Sequence, residues 1–137
     1  MANTLQLEIV TPDRLLVNEQ VDEVQIPGKS GYLDALPEHA PLITELTSGE
    51  LTYKRGGTTS HLAVSWGFAE VLPDKVTVLA QTAERPEEIN VQRAQEAKNR
   101  AEQALANPKP ELDYDATLAA LKRAEVRLQV AAEKGQQ

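Results

Sequence analysis

No cysteine occurs in the 137 residues, which excludes disulfides, thiolate metal sites and cysteine nucleophiles together. Aromatic residues are few (one Trp, one Phe, three Tyr), too few for a stacking platform under bases or sugars. Basic residues are outnumbered, 14 Lys and Arg against 21 Asp and Glu, for a formal charge of -7. Loose binding to nucleic acid or to an anionic membrane needs a cationic surface, so neither is expected. No apolar run approaches the length of a membrane span, and residues 1–10 alternate in polarity instead of forming a signal-peptide core. The expectation is a soluble, cytoplasmic chain with no direct membrane insertion, one domain or one small domain with an appendage.

What is present divides near Pro86, where the hydrophobic period changes. Before it, Leu5, Leu7 and Ile9 alternate with Gln6 and Glu8, Val24 and Ile26 flank Gln25, and Val76, Val78 and Ala80 flank Thr77 and Leu79. Such alternation turns one face of a strand inward. Turn signals separate the runs: Thr11-Pro12-Asp13, Pro27-Gly28-Lys29-Ser30-Gly31, Ser48-Gly49, Gly56-Gly57 and Pro73-Asp74. Strands are predicted over 4–10, 14–17, 20–27, 31–34, 42–47, 49–55, 59–66, 67–73 and 75–82, and many short strands with closely spaced turns read as a sandwich or barrel, not as βαβ units.

After Pro86 the composition shifts to Ala, Glu, Gln, Lys and Arg. Ala94, Ala97, Ala101, Ala104 and Leu105 recur at helical steps, Pro86 suits a first turn, and Asn90 suits an N-cap. Asn107-Pro108-Lys109-Pro110 stops that helix. A second is predicted over 113–133, with Leu118, Leu121, Ala124, Leu128 and Ala131 on one face. The fold class is α+β: an antiparallel β-sandwich over 1–85, then an antiparallel two-helix hairpin over 86–137. At about 25 cal/mol per Å² of apolar burial, an alanine seam is weak alone, so the hairpin is expected to depend on docking elsewhere.

Enzymatic motifs fail on inspection. Gly28-Lys29-Ser30 resembles the tail of a phosphate-binding loop, but the upstream glycine position holds Glu23 and a strand follows. Ser65 lacks a nucleophile elbow. His39 and His61 are the only histidines, and without spaced carboxylates they make no metal site. In the alternating run 59–64, His61 is expected to face solvent. The chain reads as no enzyme, with no required cofactor.

The segment Gly31-Tyr32-Leu33-Asp34-Ala35-Leu36-Pro37-Glu38-His39-Ala40-Pro41-Leu42-Ile43-Thr44 resembles the Gly-x-Leu-Gly-x-Leu-Pro-Gly-His-Ala-Pro-Leu-Leu-Thr signature of ε subunits of F-type ATP synthases. Gly67-Phe68-Ala69-Glu70-Val71, Val76-Thr77-Val78-Leu79-Ala80, Ile89-Asn90-x-x-Arg93-Ala94 and Leu121-Lys122-Arg123-Ala124-x-x-Arg127-Leu128 extend the likeness, in order, along nearly the whole chain. Asp34 and Glu38 stand where the family usually has glycines, and Asn90 replaces an aspartate.

This resemblance implies a non-catalytic central-stalk subunit of a proton-translocating rotary synthase, coupling rotation of the γ subunit and c-ring to ATP synthesis. The protein would sit peripherally on the cytoplasmic face of the membrane. Tyr32 and His39 match positions that face the c-ring; the plainer alternative for His39 is satisfying loop backbone. Some bacterial relatives bind ATP as a regulatory ligand on the folded hairpin, and the matching positions are Glu84, Asn90, Arg93, Arg100, Arg123 and Arg127. Guanidiniums suit phosphate, and a carboxylate accepts from an adenine amine. Arg123, Arg127 and Lys134 form one basic stripe on the second helix, suited to meet acidic groups of the α and β subunits when the hairpin extends, and so to restrain hydrolysis. A solvated charged face is the bland alternative for all these residues. Two rival readings remain at this level, a structural clamp without regulation and a stand-alone ATP-sensing or peptide-binding sandwich.

Overall fold

The structure is a computed structural model that describes residues 3–134. Eight strands come first: β1 Leu5–Val10, β2 Leu15–Val21, β3 Glu23–Gly28, β4 Gly31–Ala35, β5 Leu42–Leu46, β6 Gly49–Arg55, β7 Thr58–Leu72 and β8 Lys75–Glu84. A 3₁₀ turn at Pro86–Glu88 leads into α1, Val91–Ala106, and α2, Tyr114–Ala131. The hydrogen-bonded order is β2-β1-β8-β7-β5-β3-β4, with β6 pairing both β3 and β7. All these pairings are antiparallel except β1 with β8. Alternation does its expected work: Leu5, Leu7, Ile9, Val76 and Val78 are fully buried, and their neighbours Gln6, Glu8 and Thr77 are not.

Helix boundaries follow from capping chemistry. Pro86 opens the 3₁₀ turn, and α1 starts later than Pro86 because Asn90 caps it, its Oδ1 accepting from the Arg93 N–H at 3.0 Å. Asp113 caps α2 in the same way through the Ala116 N–H at 3.0 Å. The seam between the helices buries Ala94, Ala101 and Ala124. No helix among the described residues is long and apolar enough to cross a membrane.

Two strand boundaries differ from expectation. The break predicted at 18–19 falls instead at Asp22, whose N–H donates to the Lys54 carbonyl at 2.7 Å and whose carboxylate accepts from the Gly56 N–H at 2.8 Å. These two bonds turn the chain there. The predicted strands 59–66 and 67–73 are one 15-residue strand, β7. Its pairing to β8 holds a single register through the middle, Ser65 opposite Thr82 and Gly67 opposite Ala80. Trp66 (φ 50) and Gly67 (φ 127) bend the strand without ending it. A Cβ on Gly67 would lie 1.9 Å from the Leu79 carbonyl oxygen, so only glycine fits.

Gly67→Ala should therefore cost on the order of 3 kcal/mol in urea unfolding followed by circular dichroism. Gly57→Ala, in open space at an ordinary φ, should stay within about 0.5 kcal/mol of the parent. Equal effects at the two positions would show that the close approach of β7 to β8 is not what holds the strand.

Candidate functional site

The hairpin lies folded against the sandwich, and α2 makes the contact, on β6 and β7. Val126 and Val130, one turn apart, pack with Ala63 of β7 and Ile89 into a second apolar cluster. Full burial of a valine is worth about 1.5–3 kcal/mol, so two of them outweigh what alanines supply at the seam. The leucine stripe drew attention away from this pair: Leu118 is 39% exposed, and Leu121 and Leu128 are only half-buried. The signal available was the i, i+4 spacing of two β-branched residues in a helix otherwise built from Ala, Leu and charged residues.

Polar contacts surround that cluster. The Arg127 Nε donates to Glu84 Oε1 at 2.7 Å. The Arg123 guanidinium lies 4.8 Å from the centre of the Trp66 ring, a cation–π contact. His61 does not face solvent as expected, because α2 covers its side of β7. Its side chain is 16% exposed, with Nδ1 2.6 Å from Glu50 Oε2 and Nε2 3.9 Å from Glu133 Oε2. Gln129 donates to the other Glu50 oxygen at 2.9 Å.

The linker is pinned separately. Arg14, just before β2, donates to both oxygens of Glu88, at 2.7 and 3.0 Å, and the Arg85 N–H donates to Glu88 Oε1 at 2.8 Å. The hydrogen bond from Arg14 is the main reason the Glu88 carboxyl sits below its ordinary value, with burial opposing and the Arg85 N–H assisting. A depressed carboxyl stabilises the fold above its unfolded value, and that contribution is lost as pH falls through the folded one.

Five of the six expected ATP-binding residues share one cleft of about 350 Å³: Glu84, Asn90, Arg93, Arg100 and Arg127 line it together with Glu88. Asn90 Oδ1 is occupied as the cap, leaving its amide donors for a ligand. Arg123 lines an adjoining groove of about 380 Å³ that also includes Arg100 and Arg127. Burial lowers the Arg123 pKa, and the nearby Arg127 charge lowers it further. Arg123 makes no ion pair among the described residues, which leaves a partly buried cation near Arg127, itself paired with Glu84. A wider hollow, about 820 Å³ at the hairpin's turn, contains only Arg100 of this set.

Of the basic stripe, Arg123 and Arg127 are engaged with the sandwich while Lys134 is exposed beyond the end of α2. Tyr32 is the second residue of β4, and His39 lies in the segment that connects β4 to β5. The Tyr32 ring is 57% exposed, its hydroxyl accepting from the Glu50 N–H at 3.2 Å. His39 Nδ1 is 2.6 Å from its neighbour's carbonyl, Ala40 O. The adjacent Glu38, in a glycine position of the signature, is held at φ 70 by its N–H bond to Pro73 O.

One surface was not read from the sequence. Leu15, Val10, Leu79 and Phe68 are paired in register across β2, β1, β8 and β7, and form an apolar row on the outer face of the sheet. Leu15, Leu79 and Phe68 are each more than half exposed, and on β5 Ile43, opposite Glu70, is 69% exposed. Period-two alternation assigns these positions to the outside, where polar residues are ordinary. Their apolar identity was the available signal.

If Val126 and Val130 supply the docking energy, Val130→Asp should release the hairpin and leave the sandwich folded. The lone tryptophan, Trp66, loses its Arg123 cover on release, so its emission should change in native buffer while the urea transition of the β signal stays in place. An unchanged Trp66 spectrum would place the docking energy elsewhere.

Comparison with known proteins bears on both parts of the chain. Residues 4–86 match the family model described as ATP synthase, Delta/Epsilon chain, beta-sandwich domain. Residues 87–132 match that of the long alpha-helix domain of the same chain. An ATP synthase epsilon chain of Koribacter versatilis is 65% identical over 81% of this chain and 78% of its own length. Another, from Nitratidesulfovibrio vulgaris, is 52% identical over 95% and 97%. In fold, a chain of the Euglena gracilis mitochondrial ATP synthase superposes with a TM-score of 0.83 at 23% identity, over 96% of this chain and 83% of that one. With both parts matched in order and the identities this high, the chain belongs to the ATP synthase delta/epsilon family, on the side of its epsilon chains.

Proposed function

We propose that the protein is a non-catalytic rotor subunit of a proton-translocating ATP synthase, peripheral on the cytoplasmic face of the membrane, whose sandwich binds γ and rests on the c-ring. The observation that carries this reading is the outer apolar row of Leu15, Val10, Leu79 and Phe68. A sheet face of this kind calls for a partner, since water would otherwise meet contiguous apolar surface. Tyr32 near the start of β4 and His39 in the segment between β4 and β5 would be the c-ring contacts. Phe68→Glu combined with Leu79→Glu should abolish co-purification of γ while leaving the sandwich's thermal transition intact. Retention of γ by the double variant would remove the row from the interface, and a parent chain that never retains γ would favour a stand-alone module.

The hairpin would be the regulatory element. ATP in the cleft at Glu84, Asn90, Arg93, Arg100 and Arg127 would bridge α1, α2 and the end of β8, and so stabilise the folded state by mass action. Support comes from the Arg123 guanidinium, which has no carboxylate partner among the described residues and would be relieved by an anion, and from the N-terminal end of α1 in the cleft wall. In the extended state, the same arginines and Lys134 would meet carboxylates of the α and β subunits. Arg123→Glu with Arg127→Glu should then abolish calorimetric ATP binding by the isolated chain and raise ATP hydrolysis by the assembled complex. Unchanged hydrolysis at both low and high salt would make the subunit a clamp without a brake, and unchanged ATP binding would move the nucleotide elsewhere.

A further inference from the structure

We infer that His61 and Glu133, with Glu50 positioning the imidazole, form a divalent transition-metal site that latches α2 to the sandwich. The three residues are far apart in sequence and come from β6, β7 and the turn just after α2, yet one donor atom of each falls within 4.8 Å of the others. Their side chains are 13%, 16% and 30% exposed, sheltered but reachable by water.

The hydrogen bonds assign a role to each group. Glu50 is fully used: one oxygen accepts from Gln129 at 2.9 Å and the other lies 2.6 Å from His61 Nδ1. A carboxylate at Nδ1 holds the proton there and leaves the Nε2 lone pair free, the arrangement in which a histidine ligates a metal. That lone pair faces Glu133 Oε2 across 3.9 Å. The gap is too long for a hydrogen bond, so a proton on Nε2 does not bridge it well. A zinc-sized cation does, with bonds of about 2.0–2.1 Å to nitrogen and 2.0–2.2 Å to a carboxylate oxygen. Closing the gap by about half an ångström brings the two donors to a tetrahedral angle, with water in the remaining positions. His61 Nε2 and Glu133 are thus the ligands, and Glu50 is the positioning carboxylate. Glu133 also lies at the C-terminal end of α2, where the helix dipole favours a cation.

Since one ligand is on the sandwich and the other on the hairpin, the metal binds only the folded-down state and resists its release. The site uses none of the nucleotide-cleft residues and stands independently of the proposed regulation by ATP.

The test is amide exchange of the untagged full-length chain, with and without zinc chloride, at neutral pH. At ten times its dissociation constant, zinc should slow exchange across residues 126–132 about tenfold, because release must then compete with binding. His61→Asn and Glu133→Gln should each remove the slowing. His39→Asn should preserve it, and so should Glu133→His, which keeps a metal ligand but removes the carboxylate an ion pair would need. The latch is overturned if zinc has no effect on the parent chain, if the slowing survives in either His61→Asn or Glu133→Gln, or if Glu133→His loses it.

Discussion

The close approach of β7 to β8 at Gly67 is the constraint on which both working surfaces depend. Because a carbonyl occupies the space a side chain would need, the two strands stay in one register through a bend. On one side of that bend β7 pairs with β6 and carries Ala63 and His61 to the underside of α2. On the other it pairs with β5 and carries Phe68 to the outer face. The docking surface for the hairpin and the apolar row are therefore two halves of a single strand, set at a fixed angle.

The hairpin is held by unequal means. Its seam is lined with alanine, which lets the helices approach but gives each residue little apolar area to bury. Its contact with the sandwich uses two valines, one short ion pair and one ring stacked under a guanidinium. The arginines that would meet a partner in an extended state are the ones engaged in the folded state, so the two arrangements compete for the same charges.

Much of the fold was legible because it rests on local rules. Alternation placed the strands, Asn90 and Asp113 marked helix starts, and two prolines marked the connection between the helices. What escaped depends on where distant elements land. Trp66-Gly67 reads as a break by local rules, and only the pairing with Leu79 and Ala80 makes it a bend. His61 alternates like a solvent-facing residue, and only α2, more than fifty positions later, covers it. Of the candidate nucleotide residues, five come together in one cleft while Arg123 is drawn to Trp66, a pairing no sequence spacing suggests. Val126 and Val130 were hidden by a more conspicuous leucine stripe, whose members turn out to be partly open to solvent.

The Arg14–Glu88 clamp has a mechanical consequence. It fixes the 3₁₀ turn to the sandwich, so the first residue beyond the clamped turn is Ile89, itself a member of the docking cluster. The fulcrum and the docking contact thus share a residue. Beyond it, the 16 residues of α1 form a rod about 24 Å long. A change in the torsions of one or two residues at its root sweeps the far tip, the turn at 107–113, through an arc of comparable length. Unlocking therefore leaves the sandwich and its outer row where they were, while the other end of the molecule changes address.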